Sequence, residues 1–266
     1  MTSPSEPPTS RPSSFDEWLQ AFKEQACFFT GLKLEVGAPR WPLADVLPVL
    51  PLIGAGVGLA AGLIFAIGRG LGPGWLAAVL AVGAAVLITR ALHEDGLADT
   101  ADGLGPHGLD ADRRLEIMRD SRNGTFGVLA LALSVLLKVA CLASFSGATG
   151  LVVLIAAHAL SRAAIAYPLL AQSPVHAEGL GAQAGKPTDN DVWLTIGIGV
   201  ALAFLLLLGT GFFVAVLAPL AALAAAWYAT RAIAERIGGY TGDTLGAVQQ
   251  SAEIAFLVVA ALFIGR

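Results

Sequence analysis

A chain of 266 residues that is 56% hydrophobic, 14% charged and +0.72 in mean hydropathy is not an ordinary soluble domain, since such domains carry about 25% charged residues. Most of its surface has to face lipid. The net charge of -4 gives no basis for nucleic-acid binding, and Cys27 and Cys141 lie too far apart in sequence to imply a disulfide framework or a metal-type spacing.

Residues 1–14 are rich in Pro and Ser and lack the apolar core of a signal peptide, so they read as a disordered tail. Residues 15–266 read as one membrane-embedded domain. The stretch 15–29 predicts an amphipathic helix with Ser14 as its cap and Glu17 as the capping-box partner. Phe15, Trp18, Leu19, Phe22, Ala26 and Phe29 share one side of it. Such a helix either lies in the membrane interface or packs on the bundle.

Seven apolar runs follow, at 46–67, 75–91, 126–145, 151–170, 192–208, 212–228 and 254–264. A helix needs about 20 residues to cross a bilayer, so the last run is short unless the preceding polar helix continues into it. The expected fold is all-α and polytopic, with about seven transmembrane helices and an N-terminal interfacial helix. Gly54, Gly56, Gly58 and Gly62 in the first run predict close helix packing. With seven spans, Arg11, Lys23, Lys33, Arg40, Arg90, Arg113, Arg114, Arg119, Arg122, Lys186, Arg231 and Arg236 fall on one side, twelve against two (Arg69 and Arg266) on the other. The positive-inside rule then places the N-terminus and three polar segments, 93–123, 171–191 and 231–251, in the cytoplasm.

The polar segments carry the chemistry. The first opens His93-Glu94-Asp95-Gly96-Leu97-Ala98-Asp99-Thr100-Ala101-Asp102-Gly103. Asp95, Asp99 and Asp102, spaced i, i+4 and i+7, share one helix face with Glu94 to the side. Like charges this close repel and call for a cation, and hard carboxylate oxygens suit Mg²⁺, Mn²⁺ or Ca²⁺. A solvated acidic helix end is the bland alternative.

Further on, Arg114-Leu115-Glu116-Ile117-Met118-Arg119-Asp120-Ser121-Arg122-Asn123-Gly124-Thr125-Phe126-Gly127 offers Asp120 as another carboxylate and Arg119 and Arg122 as phosphate donors. The third segment, Gly238-Gly239-Tyr240-Thr241-Gly242-Asp243-Thr244-Leu245-Gly246-Ala247, places Asp243 at a helix start, with Gln250 and Glu253 where that helix enters the membrane. Within spans, His158 and Arg162 share a face and Lys138 stands by itself. Ionisable groups at such depth are functional candidates, although Lys138 can also snorkel or pair with an acid. Carboxylates with Arg and Lys on one membrane face point to metal-assisted chemistry on phosphates.

These three motifs, in this order, resemble the cobalamin synthase (adenosylcobinamide-GDP ribazoletransferase) family over nearly the whole chain after the tail. One departure is Thr30-Gly31-Leu32-Lys33, where the family commonly has a Thr-Arg-Leu-Pro type stretch. The resemblance implies an enzyme of the bacterial inner membrane with its site facing the cytoplasm. It would use Mg²⁺ to join adenosylcobinamide-GDP to α-ribazole or α-ribazole 5′-phosphate, releasing GMP. Glu94, Asp95, Asp99 and Asp102 are then expected to hold Mg²⁺, with Asp120 or Asp243 as a further ligand. Arg119, Arg122, Lys138 and Arg162 are expected to meet phosphate, and Asp243 and Glu253 to line the substrate site. His93 or a carboxylate would be the base. A homo-oligomer stays open.

Two other readings compete. Phosphotransferases acting on nucleotide-diphosphate alcohols also array aspartates in membranes, but their D-G-x-x-A-R pattern breaks here, because Asp99 follows Ala98. A cation transporter would place acids deep in several spans, whereas these cluster at span ends.

Overall fold

The computed structural model describes residues 11–37, 39–120 and 122–264. Most of the tail, 1–10, lies outside them. Arg11 is bound, its guanidinium 2.6 Å from Asp191 and 3.3 Å from Asp45.

Among the described residues every regular element is a helix, with one isolated bridge between Pro174 and Tyr240. Helix α1 (Phe15–Phe29) starts with the expected capping box between Ser14 and Glu17. It packs on the bundle through Ala21, Ala26 and Phe29, while Phe15 and Leu19 of the expected apolar side stay exposed. Two 3-10 turns, Leu43–Asp45 and Leu47–Val49, lead into α2 (Leu50–Leu71). Then come α3 (Gly74–Thr89), α4 (Leu92–Leu104), α5 (Ala111–Met118), α6 (Thr125–Ala143), α7 (Gly147–Ala163), α8 (Ala166–Ala171), α9 (Leu180–Gln183), α10 (Asp189–Leu207), α11 (Phe212–Ile237) and α12 (Gly242–Ile264).

Six stretches are long and apolar enough to cross a membrane: α2 with its leading turn, α6, α7 with α8, α10, α11 and α12. The α3–α4 pair brings the number to seven if counted as one broken span. Helix α12 is 23 residues long because the polar segment before Ile254 is helical and continuous with the apolar run. In the same way α11 runs on to Ile237, so the third polar segment is mostly helix. Exposed Leu87, Leu136, Phe213 and Leu262 show which side chains face outward to lipid.

The polar elements gather at one end of the bundle because α3 turns by 90° into α4. Arg90 and Ala91 make the turn, both left-handed (φ 54° and 57°). That conformation costs an L-residue about 1–2 kcal/mol. The turn is tied down by the Ala91 amide donating to Val86 O (2.8 Å) and the Gly31 amide donating to Ile88 O (2.6 Å). We read α3 as the apolar limb that enters the membrane and α4, with its four carboxylates, as lying outside the spanning helices.

Packing follows the small residues. A side chain at Gly54 would strike the His158 carbonyl, and one at Gly58 would strike that of Leu154, so α2 and α7 meet backbone to backbone. Gly62 also faces α7, at Leu151, but Gly56 meets nothing and points away. Gly58→Val should therefore cost about 1–3 kcal/mol by overpacking, read as a lowered Tm of detergent-purified protein. Gly56→Ala should leave Tm within about 1 °C, because surface changes away from such contacts are near neutral.

Candidate active site

Helix α4 crosses the first turns of α12 at close range. A side chain at Gly96 would sit 2.5 Å from the Asp243 carbonyl, and one at Gly246 would sit 3.1 Å from that of His93. Glycine at both positions lets the backbones touch. The contact brings Asp95 and Asp99 of α4 up to Asp243. Asp99 is only partly buried, yet its carboxyl is pushed up to about 6, first by burial and then by the charges of Asp95, Asp243 and Asp102. Three carboxylates thus lie close enough to act on one another's charge, and among the described residues none of them forms an ion pair with Lys, Arg or His.

The other two acids of the motif face elsewhere. Asp102 is buried, and its carboxylate accepts from the Gly124 amide (2.7 Å) and the Gly127 amide (2.9 Å). It closes the N-terminus of α6, where the Cβ of any larger residue at Gly124 or Gly127 would collide with it. Glu94 turns into the bundle, its Oε1 within 3.0 Å of Gln250 Nε2 and 3.5 Å of Lys138 Nζ. Its Oε2 is buried without a hydrogen-bond partner.

Glu94 thereby joins an interior polar network. Lys138 lies 2.8 Å from Glu253, which also meets His158 (3.3 Å) and accepts from Gln249 (2.7 Å). Arg162 lies 3.0 Å from His158 Nδ1, and Gln249 donates to Ser161. The structure therefore brings Lys138, Arg162 and Glu253 together, with each other and with Glu94, not with Asp95 and Asp99. Gln249, Ser134 and Ser161 complete the network. Sequence reasoning does not single these three out, and the available signal was the i, i+4 step from Gln249 to Glu253.

The basic motif is more dispersed. Arg114 is buried and donates to the carbonyls of Gly103 (3.0 Å) and Leu104 (3.1 Å), capping the C-terminus of α4. Arg119 contacts the His176 ring at 2.7 Å. Asp120 sits on the loop after α5, held by Arg122 at 2.6 Å and lowered to about 2 by those hydrogen bonds. Among the described residues, Asp120, Arg119 and Arg122 make no hydrogen bond or ion pair with the carboxylates of α4. At the departure Thr30-Gly31-Leu32-Lys33, Gly31 packs against Arg90, whose Nε a side chain there would meet at 3.1 Å.

Beside Asp95 and Asp243 opens a cavity of about 610 Å³. Its walls come from α1 (Gln25, Phe28, Phe29), the 39–43 stretch with Trp41, α4 (Leu92, His93), α8's leader Ile165, and α12. His93 is buried and stacks on Phe29, with ring centroids 6.0 Å apart and 12° between planes. Its Nε2 has no hydrogen-bond partner, and burial, followed by the Arg162 charge, holds its pKa well below the usual imidazole value. Burial therefore favours the neutral ring, and in the tautomer with its proton on Nδ1 the unpartnered Nε2 can accept a hydrogen bond. The aromatic walls are a second feature that the sequence leaves unassigned.

A helical bundle with six or seven membrane-spanning helices and a cavity edged by Asp95 and Asp243 defines a polytopic membrane protein with a small-molecule site. The chain belongs to the cobalamin-5-phosphate synthase family, whose model matches residues 21–261. It is 45% identical over 241 residues to an adenosylcobinamide-GDP ribazoletransferase of Azorhizobium caulinodans, covering 87% of this chain and 91% of that protein. A protein of the same name from Xanthobacter autotrophicus is 45% identical over 266 residues (90% and 94%). One from Allorhizobium ampelinum is 44% identical over 218 residues (80% and 83%). No solved structure matches the chain. The protein is thus a transferase of cobalamin biosynthesis.

Asp102 earns a separate test, because its work is structural. Asp102→Ala should leave two amides at the start of α6 unpaired and cost about 1–3 kcal/mol. The check is a thermal melt, with Asp102→Asn expected to recover part of the loss through its remaining carbonyl oxygen.

Proposed function

We propose that the protein joins adenosylcobinamide-GDP to α-ribazole or α-ribazole 5′-phosphate, with Mg²⁺, at the cytoplasmic side of the bacterial inner membrane. The observation that carries this reading is the convergence of Asp95, Asp99 and Asp243 beside the cavity that holds His93. The twelve-to-two distribution of Lys and Arg supports the orientation.

The donor set fits the metal in a particular way. Among the described residues, no three His, Cys, Asp or Glu side chains are already gathered as a ligand group. Mg²⁺ is commonly held by one or two carboxylates with the remaining positions left to water and substrate phosphate. Asp95, Asp99 and Asp243 suit that arrangement, and the cation, when bound, would neutralise pyrophosphate charge. Glu94 and Asp102 keep other partners and serve α4's placement instead.

In the reaction, a ring hydroxyl of the ribose, free in both α-ribazole and its 5′-phosphate, forms a bond through its oxygen to the phosphorus next to the cobinamide. The pyrophosphate P–O bond breaks and GMP leaves with that oxygen. The proton of that ring hydroxyl needs an acceptor, and His93 Nε2 is the buried, unpartnered nitrogen in the cavity. Lys138 and Arg162 do not line the cavity. Their charges balance Glu94 and Glu253, and the void lined by Glu94, Lys138, His158 and Glu253 is only about 10 Å³. That closed packing favours an enzyme over a cation pathway.

Asp99→Ala should abolish GMP release from adenosylcobinamide-GDP in proteoliposomes while the protein still inserts. Near-normal turnover by that variant would sink the metal assignment. A second outcome follows from Asp99's raised carboxyl. A raised pKa stabilises the fold below the ordinary carboxylate range, and this contribution is lost as pH rises through about 6. In chelator, Tm should therefore fall between about pH 4 and 6, and Asp99→Asn or added Mg²⁺ should flatten that slope.

A further inference from the structure

The cavity beside Asp95 and Asp243 is larger than the carboxylate site needs, and most of its wall is apolar. Phe28 and Phe29 of α1 and Trp41 contribute aromatic surface, and the His93 ring continues the Phe29 stack. Phe28 itself meets Phe29 edge to face, with centroids 5.0 Å apart. Flat aromatic walls of this kind recognise flat aromatic ligands by stacking.

Charge narrows the occupant further. Among the described residues lining the cavity, Arg40 is the one cation, and it already faces Glu24 at 3.6 Å. Asp95 and Asp243 add negative charge to the wall. An anion would be poorly held in the aromatic part, whereas an uncharged base would be welcome. At about 610 Å³ the cavity lies within the range of small-molecule sites. A corrinoid, with amide arms around its whole rim, matches neither the size nor the apolar lining.

We propose that this cavity is the acceptor subsite, taking the apolar bicyclic base of α-ribazole between Phe28, Phe29 and Trp41, with the ribose directed to Asp95 and Asp243. The proposal rests on the ribazole-transfer reading above. It assigns the N-terminal helix a role in substrate choice, because α1 and the 39–43 stretch supply the aromatic half of the pocket. Both α-ribazole and its 5′-phosphate carry the same base, so both are recognised there. The donor's pyrophosphate approaches the carboxylates from outside the cavity.

The test is steady-state kinetics in proteoliposomes with donor and acceptor varied separately. Phe28 is 42% exposed, so Phe28→Ala should leave the fold intact. It should raise KM for α-ribazole and for its phosphate about tenfold, the loss of one aromatic stacking partner, and leave the donor KM unchanged. Leu43→Trp, which fills the cavity, should abolish α-ribazole binding measured by calorimetry without donor. Phe15→Ala, on the same helix but outside the cavity, is the control and should change neither constant. A rise in donor KM instead, or unchanged acceptor KM in Phe28→Ala with full binding by Leu43→Trp, would overturn the proposal. Absence of GMP release by the wild-type protein with both substrates would count against the ribazole-transfer reading itself, which the calorimetry does not depend on.

Discussion

A carboxylate in the middle of an apolar bundle has to be neutralised, and Glu253 sets the terms for everything around it. It sits eleven residues into α12 and is buried. Lys138 from α6, His158 from α7 and Gln249 from its own helix all reach it. Removing one partner of such a pair usually costs several kcal/mol, because the other charge is left unpaired in a medium that cannot solvate it. The network therefore holds α6, α7 and α12 to one relative placement. Glu94 extends it to α4 through Lys138 and Gln250. The helix that bears the reactive carboxylates is positioned by a charge it sends inward.

Two backbone devices complete that placement. Consecutive left-handed residues at Arg90 and Ala91 turn α3 into α4, a conformation with a steric cost that the surrounding hydrogen bonds must offset. Glycines at 96 and 246 then let α4 and α12 touch. Asp102 and Arg114 fix the far end of α4, one by closing the start of α6 and the other by capping α4's own carbonyls. Each device is local, and together they leave Asp95 and Asp99 little freedom except to face Asp243.

Much of this was legible in the residues. Apolar runs marked the spans, Ser14 and Glu17 marked the first helix, and the i, i+4, i+7 spacing placed Asp95 and Asp99 on one face. The angular offset of Glu94 was legible too, and it is Glu94 that faces the interior. The sharp turn was not, because neither Arg nor Ala advertises a left-handed conformation. Nor was the aromatic cavity, which assembles from α1, α4, α8, α12 and a loop that are distant in sequence. Periodicity reports which face of a helix is apolar but not which partner covers it. That is why Gly56 reads like Gly54 and Gly58, although it contacts nothing.

The acidic stretch shows how one motif divides its labour. In sequence its four carboxylates look alike, and a cation could claim them all. In the fold, environment separates them. Glu94 meets a lysine in a dry interior, where a full ion pair is needed to keep a carboxylate at all. Asp102 meets two backbone amides, where helix-end donors want a negative charge. Asp95 and Asp99 meet another carboxylate, an arrangement that gains nothing for stability and raises Asp99's affinity for a proton. A protein tolerates such repulsion where it is put to use. The inward pair builds the platform, and the outward pair keeps an unsatisfied charge at the edge of the cavity, ready for a cation and the phosphates it carries.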